Sequence, residues 1–254
     1  MGEGLHTATN SLIMSESGGG AKKPSGMHCF LDIDINDHRA AYALACLFVK
    51  ENDTKYGFTT KVLAQMGGSE RARLSELFEA DYAYSARGRI ELSPAPCERI
   101  VIDLHTHTAP TCCENFLKLC TGEKGRAKGS GLPLHYKGSV FHRMVAGQFI
   151  QGGDFTHGNG AGGESIWGST FKDDPAALKP KVDRRGLVCM SNTGKNSNGS
   201  QFFITLAPLP KLSSKHCVFG EVVQGLEVLE LIERLQTEDE KPAKSVRIVD
   251  CGKL

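Results

Sequence analysis

The 254-residue chain has little of what several classes of protein require. No apolar run approaches the roughly 20 residues of a membrane-spanning helix, and residues 1–26 have no apolar core of a secretory signal. The 30 Lys and Arg nearly cancel the 29 Asp and Glu, so neither nucleic acid nor a membrane surface is expected as a partner. A single tryptophan beside 29 glycines indicates many tight turns and favours β architecture over a helical bundle.

The nine cysteines form no even, regular framework. Because no secretory signal precedes them, they indicate a reducing compartment with free and mostly buried thiols. We therefore expect a cytoplasmic protein, with the nucleus as the alternative.

Two features that could suggest a cofactor do not have the pattern they would need. His105, His107, Cys112 and Cys113 are metal-ligand residue types, but their spacing matches no common zinc pattern. Residues 158–163 satisfy G-x-G-x-x-G, yet no βαβ unit surrounds them, which indicates a structural glycine loop. The sequence therefore predicts neither a metal nor a cofactor.

The apolar pattern changes twice along the chain. Residues 1–26 lack periodicity and are rich in Gly and Ser, which predicts a flexible tail ahead of a domain over 27–254. Residues 27–36 alternate as a half-buried strand does. Within 38–95 the pattern becomes helical, and helices are predicted over 39–50, 60–66 and 70–80, with Ser69 as the cap of the third.

Strands dominate after residue 98. The patterns predict strands over 99–104, 140–151, 186–191, 200–206, 217–223 and 246–251, and helices over 111–121 and 226–235. Pattern alone thus predicts a mainly antiparallel β domain that carries a helical insertion over 38–95.

Three short motifs in this β region point to a reaction class. They are 141–143 (Phe-His-Arg), 151–155 (Gln-Gly-Gly-Asp-Phe) and 198–204 (Asn-Gly-Ser-Gln-Phe-Phe-Ile). They place an arginine, two amides and an aromatic ring on strand-like segments, with no nucleophile, base or metal cluster beside them. That set suits chemistry in which a planar group is twisted and no bond is broken.

In order and spacing, these motifs closely resemble the cyclophilins, the peptidyl-prolyl cis/trans isomerases. The resemblance covers roughly 27–36 and then residue 96 to the C-terminus. It implies a closed eight-stranded antiparallel barrel capped by two helices. In cyclophilins a short turn joins the first two strands, so we expect 38–95 to lie on the barrel surface with a small core of its own.

The resemblance also assigns site residues. It implies catalytic roles for Arg143, Gln201 and Phe203, with the Arg143 guanidinium donating toward the prolyl nitrogen or its neighbouring carbonyl. The positions that it implies for contacts to a proline-containing peptide or protein segment are Gln148, Phe149, Gln151, Gly160, Ser191, Asn192, Thr193, Lys211, Leu212 and His216. His142 is expected to support the scaffold.

Two positions depart from the family pattern. Gln148 replaces a pocket phenylalanine, and Lys211 replaces a tryptophan that favours the cyclic peptide drug cyclosporin, so we expect weak cyclosporin binding. The alternative to an isomerase is a scaffold that binds proline peptides with little turnover. We further expect a monomer, with a possible protein partner on the insertion 38–95.

Overall fold

The computed structural model describes residues 26–96 and 98–254, and the predicted flexible tail therefore lies almost wholly outside the described residues. The described strands are β1 (Met27–Ile35), β2 (Glu98–Leu104), β3 (Arg143–Val145), β4 (Phe149–Gly152), β5 (Leu187–Met190), β6 (Phe202–Thr205), β7 (Val218–Gln224), β8 (Thr237–Glu238), β9 (Lys241–Pro242) and β10 (Val246–Lys253). The described helices are α1 (His38–Tyr56), α2 (Gly68–Ala80), α3 (Tyr82–Ser85), α4 (Pro110–Thr121) and α5 (Leu226–Glu233), with short 3-10 turns at Leu63–Gln65 and Pro210–Leu212.

Eight of these strands form one antiparallel half-barrel in the order β10-β1-β2-β7-β5-β6-β4-β3. The predicted mainly β class with eight antiparallel strands is therefore confirmed. Between the edge strands β10 and β3, the described residues contribute a bridge from Val140 to Arg247 in place of a full ladder. The remaining strands, β8 and β9, pair as a separate hairpin.

The prediction of one continuous strand over 140–151 is wrong, because this stretch is the β3–β4 hairpin. The chain reverses at 146–148, where Gly147 has a φ of 66° and the Gln148 amide donates to the Val145 carbonyl at 2.9 Å. Glycine adopts that left-handed conformation at little cost. The turn places Arg143 directly opposite Gln151 on neighbouring strands.

The main core lies on the concave side of the half-barrel. Its centre is a group of aromatic rings, in which Phe116 of α4 meets Phe202 and Phe219 at 5.1 Å between ring centroids. Helix α4 begins with Pro110 at its first turn, where the missing N–H costs nothing. Helix α5 adds Val228, Leu229 and Ile232 to the same core. Each of these fully buried side chains contributes about 1.5–3 kcal/mol to folding.

Helices α1, α2 and α3 belong to the segment that connects β1 to β2 along the chain, and they share a second core. Phe48 is fully buried there, with ring centroids 5.3 Å from Phe78 and 4.9 Å from Tyr84. The buried carboxylate of Asp81 accepts hydrogen bonds from Lys55, Tyr56 and the backbone of Ala83. The expected small core within 38–95 is therefore present, and its members are distinct from those of the main core.

Three details of these helices differ from the sequence predictions. Helix α1 continues to Tyr56, where Gly57 ends it with a φ of 67°. The predicted helix over 60–66 is a single 3-10 turn. The predicted cap at Ser69 is wrong, because α2 begins at Gly68 after Gly67.

Within the described residues, the helices are too short or too polar to cross a membrane. The eight described cysteines are unpaired, and all except Cys46 are buried. This agrees with the expected free, mostly buried thiols.

Candidate active site

The predicted site residues of three neighbouring strands share the outer face of the half-barrel. Arg143 on β3 lies opposite Gln151 on β4, which in turn lies opposite Phe203 on β6. Directly opposed residues of antiparallel strands point to the same face. The alternate positions Met144, Ile150, Phe202 and Ile204 all lie in the main core. The period of two therefore directs the functional side chains outward.

Two hydrogen-bonded side-chain amides connect this face to the loop after β4. The Gln151 side chain donates from Nε2 to Oε1 of Gln201 at 2.8 Å. Gln201 then donates from Nε2 to the carbonyl oxygens of Gly160 at 2.9 Å and Gly162 at 2.8 Å. Both side-chain N–H groups of Gln201 are thereby used. By contrast, the side-chain oxygen of Gln151 and one of its side-chain N–H groups have no partner among the described residues. Gln151 is the amide that remains available to a bound main chain.

The loop over 154–163 is organised around the buried carboxylate of Asp154. One oxygen accepts from the Thr156 backbone and hydroxyl and from the His157 backbone, and the other accepts from the backbones of Asn159, Gly160 and Gly162. Burial favours a raised pKa for Asp154, but these hydrogen bonds outweigh it and hold the pKa well below its usual range. The glycine motif is thus a structural loop, as its sequence context predicted.

Gly160 can only be glycine in this loop. Its φ is 89°, and an added Cβ would lie 2.9 Å from Nε2 of His142. Burial lowers the pKa of His142, which favours the neutral ring beneath the loop. His142 therefore packs under the site, in agreement with the expected scaffold role.

An apolar cluster adjoins the polar residues. The ring of Phe149 lies 5.3 Å from that of Phe203, and His216 meets Phe203 edge-on at 5.2 Å. Leu212 packs against the same cluster. Phe203 is only 3% exposed, so its neighbours form the accessible surface above it. Burial lowers the pKa of His216 and outweighs the opposing effect of the Met190 carbonyl, which lies 3.0 Å from Nδ1. The lowered pKa favours a neutral imidazole, which suits an apolar wall.

Arg143 links the apolar and polar parts of the site. Its guanidinium carbon lies 5.3 Å from the centre of the Phe149 ring. Nε and Nη2 are each 2.7 Å from Oε2 of Glu240, which lies at the tip of the β8–β9 hairpin. Sequence reasoning missed Glu240, because it lies 97 positions away and belongs to no motif.

Most of the other predicted residues line a cleft at the site, whereas Gln148 and Lys211 do not. A cleft of about 360 Å³ is lined by Arg143, Gln151, Gly160, Ser191, Asn192, Thr193 and Gln201. A second cleft of about 440 Å³ shares Arg143, Gln151 and Gly160 with the first and adds Asp239, Glu240 and Lys241. Gln148 and Lys211 are exposed on turns and line neither cleft.

A match to a known protein family covers the segments that carry these site residues. The family model described as cyclophilin type peptidyl-prolyl cis-trans isomerase/CLD matches residues 89–253, which is more than half of the chain. This chain belongs to the cyclophilin family. Strand β1 lies outside the matched range, yet it pairs with both β2 and β10 of the cyclophilin sheet.

The relatives include much longer proteins. The NK-tumor recognition proteins of Mus musculus and Homo sapiens are each 52% identical to this chain over 166 residues. That match covers 65% of this chain and 11% of either relative. This cyclophilin therefore corresponds to a small part of those relatives.

Proposed function

We propose that this cyclophilin is a peptidyl-prolyl cis/trans isomerase acting on X-Pro bonds of peptides and proteins. The observation that carries the proposal is the position of Arg143. Its guanidinium carbon lies 5.3 Å from the centre of the Phe149 ring, and the residue is directly across from Gln151. A proline ring on the apolar cluster would thus have its nitrogen close to a hydrogen-bond donor.

The chemistry requires no covalent step by the protein. Rotation of a prolyl bond faces a barrier of about 18–20 kcal/mol, because resonance keeps the amide planar. A guanidinium that donates toward the prolyl nitrogen or its neighbouring carbonyl favours the twisted, pyramidal nitrogen over the planar ground state. A guanidinium acts here by hydrogen bonding alone, so no proton transfer is needed.

The remaining residues would bind and orient the peptide. The proline ring would rest on Phe149, Leu212 and His216, with Phe203 supporting them from below. Gln151 would hold the substrate main chain through the side-chain amide atoms that have no partner among the described residues. Gln201 would act as a positioning residue, because its N–H groups fasten the loop that carries Gly160.

The test is the variant Arg143→Ala in a protease-coupled isomerisation assay on a panel of X-Pro peptides. Removing one transition-state donor is expected to lower kcat/KM by about 100- to 1,000-fold, with peptide affinity changed far less. Arg234→Ala is the matched control, because Arg234 is an exposed arginine immediately after α5 whose ion pair is with Glu230. Turnover within twofold of the unmodified protein, together with lost affinity, would make Arg143 a binding residue and refute this mechanism.

The second candidate is a proline-peptide scaffold with little turnover. The specific observation in its favour is the Arg143–Glu240 ion pair, since it engages Nε and Nη2 of the guanidinium and leaves fewer donors for a prolyl amide. In that case the unmodified protein would bind X-Pro peptides without accelerating their isomerisation.

We also infer that the half-barrel is completed as a closed barrel by the chain at 138–141. Gly138 donates to the Ile248 carbonyl at 2.7 Å, and Phe141 donates to the Val246 carbonyl at 2.8 Å. These bonds tie the segment leading into β3 to the opposite edge strand, β10. Slow amide exchange at Gly138 and Phe141 would support closure, and rapid exchange at both would contradict it.

A further inference from the structure

The tip of the β8–β9 hairpin has an unusual composition for its geometry. Glu238 pairs with Lys241, and the two residues between them, Asp239 and Glu240, have φ values of 49° and 60°. A two-residue hairpin turn with both residues left-handed favours Asn, Asp and Gly. A glutamate has no such preference and is uncommon in this conformation. Backbone outliers of this kind often mark functional positions.

The hairpin tip is attached to the strand that carries Arg143. The Met144 amide donates to the Glu240 carbonyl at 2.6 Å. The Glu240 carboxylate then reaches Nε and Nη2 of Arg143 at 2.7 Å each. The backbone bond therefore holds the residue that carries this carboxylate beside Arg143, although its side chain is 52% exposed.

This arrangement places acidic groups beside the reacting position. Asp239 and Glu240 line the cleft that also contains Arg143 and Gln151. A guanidinium that donates to a carboxylate has fewer donors to offer a prolyl amide. A lysine or arginine of a bound peptide would compete for the same carboxylate and release the guanidinium, whereas an acidic side chain would be repelled.

We propose that Glu240 is a specificity-determining residue that competes with substrate for Arg143 and makes the site selective for X-Pro segments with an adjacent basic residue. The inference rests on the proposed function, because it assumes that Arg143 is the group that meets the prolyl bond. Glu240 acts through Arg143 and through the charge of the substrate, and it takes no part in the rotation itself.

The experiment compares peptides that differ only in charge. Matched sets carry Lys, Ala or Glu immediately before or immediately after the proline, and kcat/KM and Kd are measured for each. The variant is Glu240→Gln. Glu238→Gln is the matched control, because it removes the same charge from the same hairpin and has no contact with Arg143 in the described part of the chain.

For the unmodified protein, we expect kcat/KM for the Lys peptides to exceed that for the Glu peptides by about three- to tenfold, which is the effect expected of partly exposed charge pairs. In Glu240→Gln this ratio should fall below about twofold, and kcat/KM for the Ala peptides should rise about two- to fivefold. Glu238→Gln should keep the ratio of the unmodified protein. In 1 M salt, where the screening length is about 3 Å, the ratio of the unmodified protein should also collapse.

Two results would overturn the inference. One is a Lys-to-Glu ratio that Glu240→Gln leaves unchanged. The other is a fall in turnover of the Ala peptides in that variant, which would mean that Glu240 holds Arg143 in its productive position. If the unmodified protein accelerates no peptide, the isomerase proposal fails, and the ratio of Kd values then decides the role of Glu240 alone. Absence of binding to every peptide would refute both.

Discussion

Phe149→Ala tests which residue forms the wall of the proposed proline pocket. The family pattern has a phenylalanine at the position of Gln148, but in the structure Gln148 is exposed on the β3–β4 turn. Phe149 is two residues before Gln151 on β4 and therefore shares its outward face. Its ring contacts Phe203 on one side and Arg143 on another. Phe149, rather than the residue at 148, is thus the side chain that lies beside both Phe203 and Arg143.

The size of the effect follows from the area that a proline would cover. If the proline ring covers about 50 Å² of Phe149, burial at about 25 cal/mol per Å² amounts to about 1.2 kcal/mol, or about eightfold in affinity. The variant also removes the ring beside the Arg143 guanidinium, an interaction worth about 0.5–1 kcal/mol at an exposed site. We therefore expect KM to rise about five- to tenfold and kcat to fall about two- to fivefold.

The assay is isomerisation of an Ala-Pro peptide, with a thermal melt to show that the variant is folded. Loss of a half-buried ring should lower the unfolding free energy by about 2 kcal/mol, or about 4–8 °C in Tm. Gln148→Phe serves as the comparison, and we expect its KM to stay within twofold, since residue 148 is exposed on the turn and is not a member of the apolar cluster. The reasoning is refuted if Phe149→Ala is neutral while Gln148→Phe lowers KM more than fivefold.

Three further predictions concern the surroundings of the site. Lys211→Trp should tighten cyclosporin binding by about 1 kcal/mol, measured by calorimetry; tight binding to the unmodified protein would contradict this. Deleting residues 38–95 should leave a folded, soluble protein that still isomerises short peptides, because α1–α3 have a separate core. The deleted protein should also lose a protein partner. An insoluble product, or one that keeps every native partner, would oppose this prediction. Asp154→Asn should lower the unfolding free energy by about 2–4 kcal/mol at pH 7. Because the Asp154 pKa is depressed, this difference should be full above about pH 4 and shrink as the pH falls, and a pH-independent difference would refute the assignment.

Long, regular elements could be predicted from the sequence. Alternation identified β1 and β2 almost to the residue, and the apolar stripe identified α5, because both patterns repeat several times within the element. The β3–β4 hairpin was not predicted, since its turn at Ala146-Gly147 interrupts an otherwise apolar stretch for only two or three residues. Strands β8 and β9 have two residues each, too few for any period to show.

The site could be predicted where it depends on motifs and alternation, but less so where it depends on distant contacts. Arg143, Gln151 and Gln201 do line one cleft, because two are cross-strand neighbours and the third immediately precedes β6, which pairs with β4. The use of both Gln201 N–H groups by the 160–162 backbone required coordinates. The acidic turn at Asp239-Glu240 carried a signal in its composition, but nothing in the sequence indicated that it returns to β3.

The magnitude of the Arg143–Glu240 contact helps to decide between an isomerase and a scaffold. Both side chains are about half exposed, at 44% and 52%, so water can replace either partner when the pair opens. A pair of this kind is worth about 0.2–1 kcal/mol, which changes a rate by about fivefold at most. Loss of a transition-state donor costs about 2.7–4 kcal/mol. In the proposed mechanism, the contact with Glu240 would therefore adjust the rate and the substrate preference, but it would be too weak to convert an isomerase into a scaffold. If the protein binds X-Pro peptides without turnover, the Arg143–Glu240 pair would account for only a small part of the lost rate.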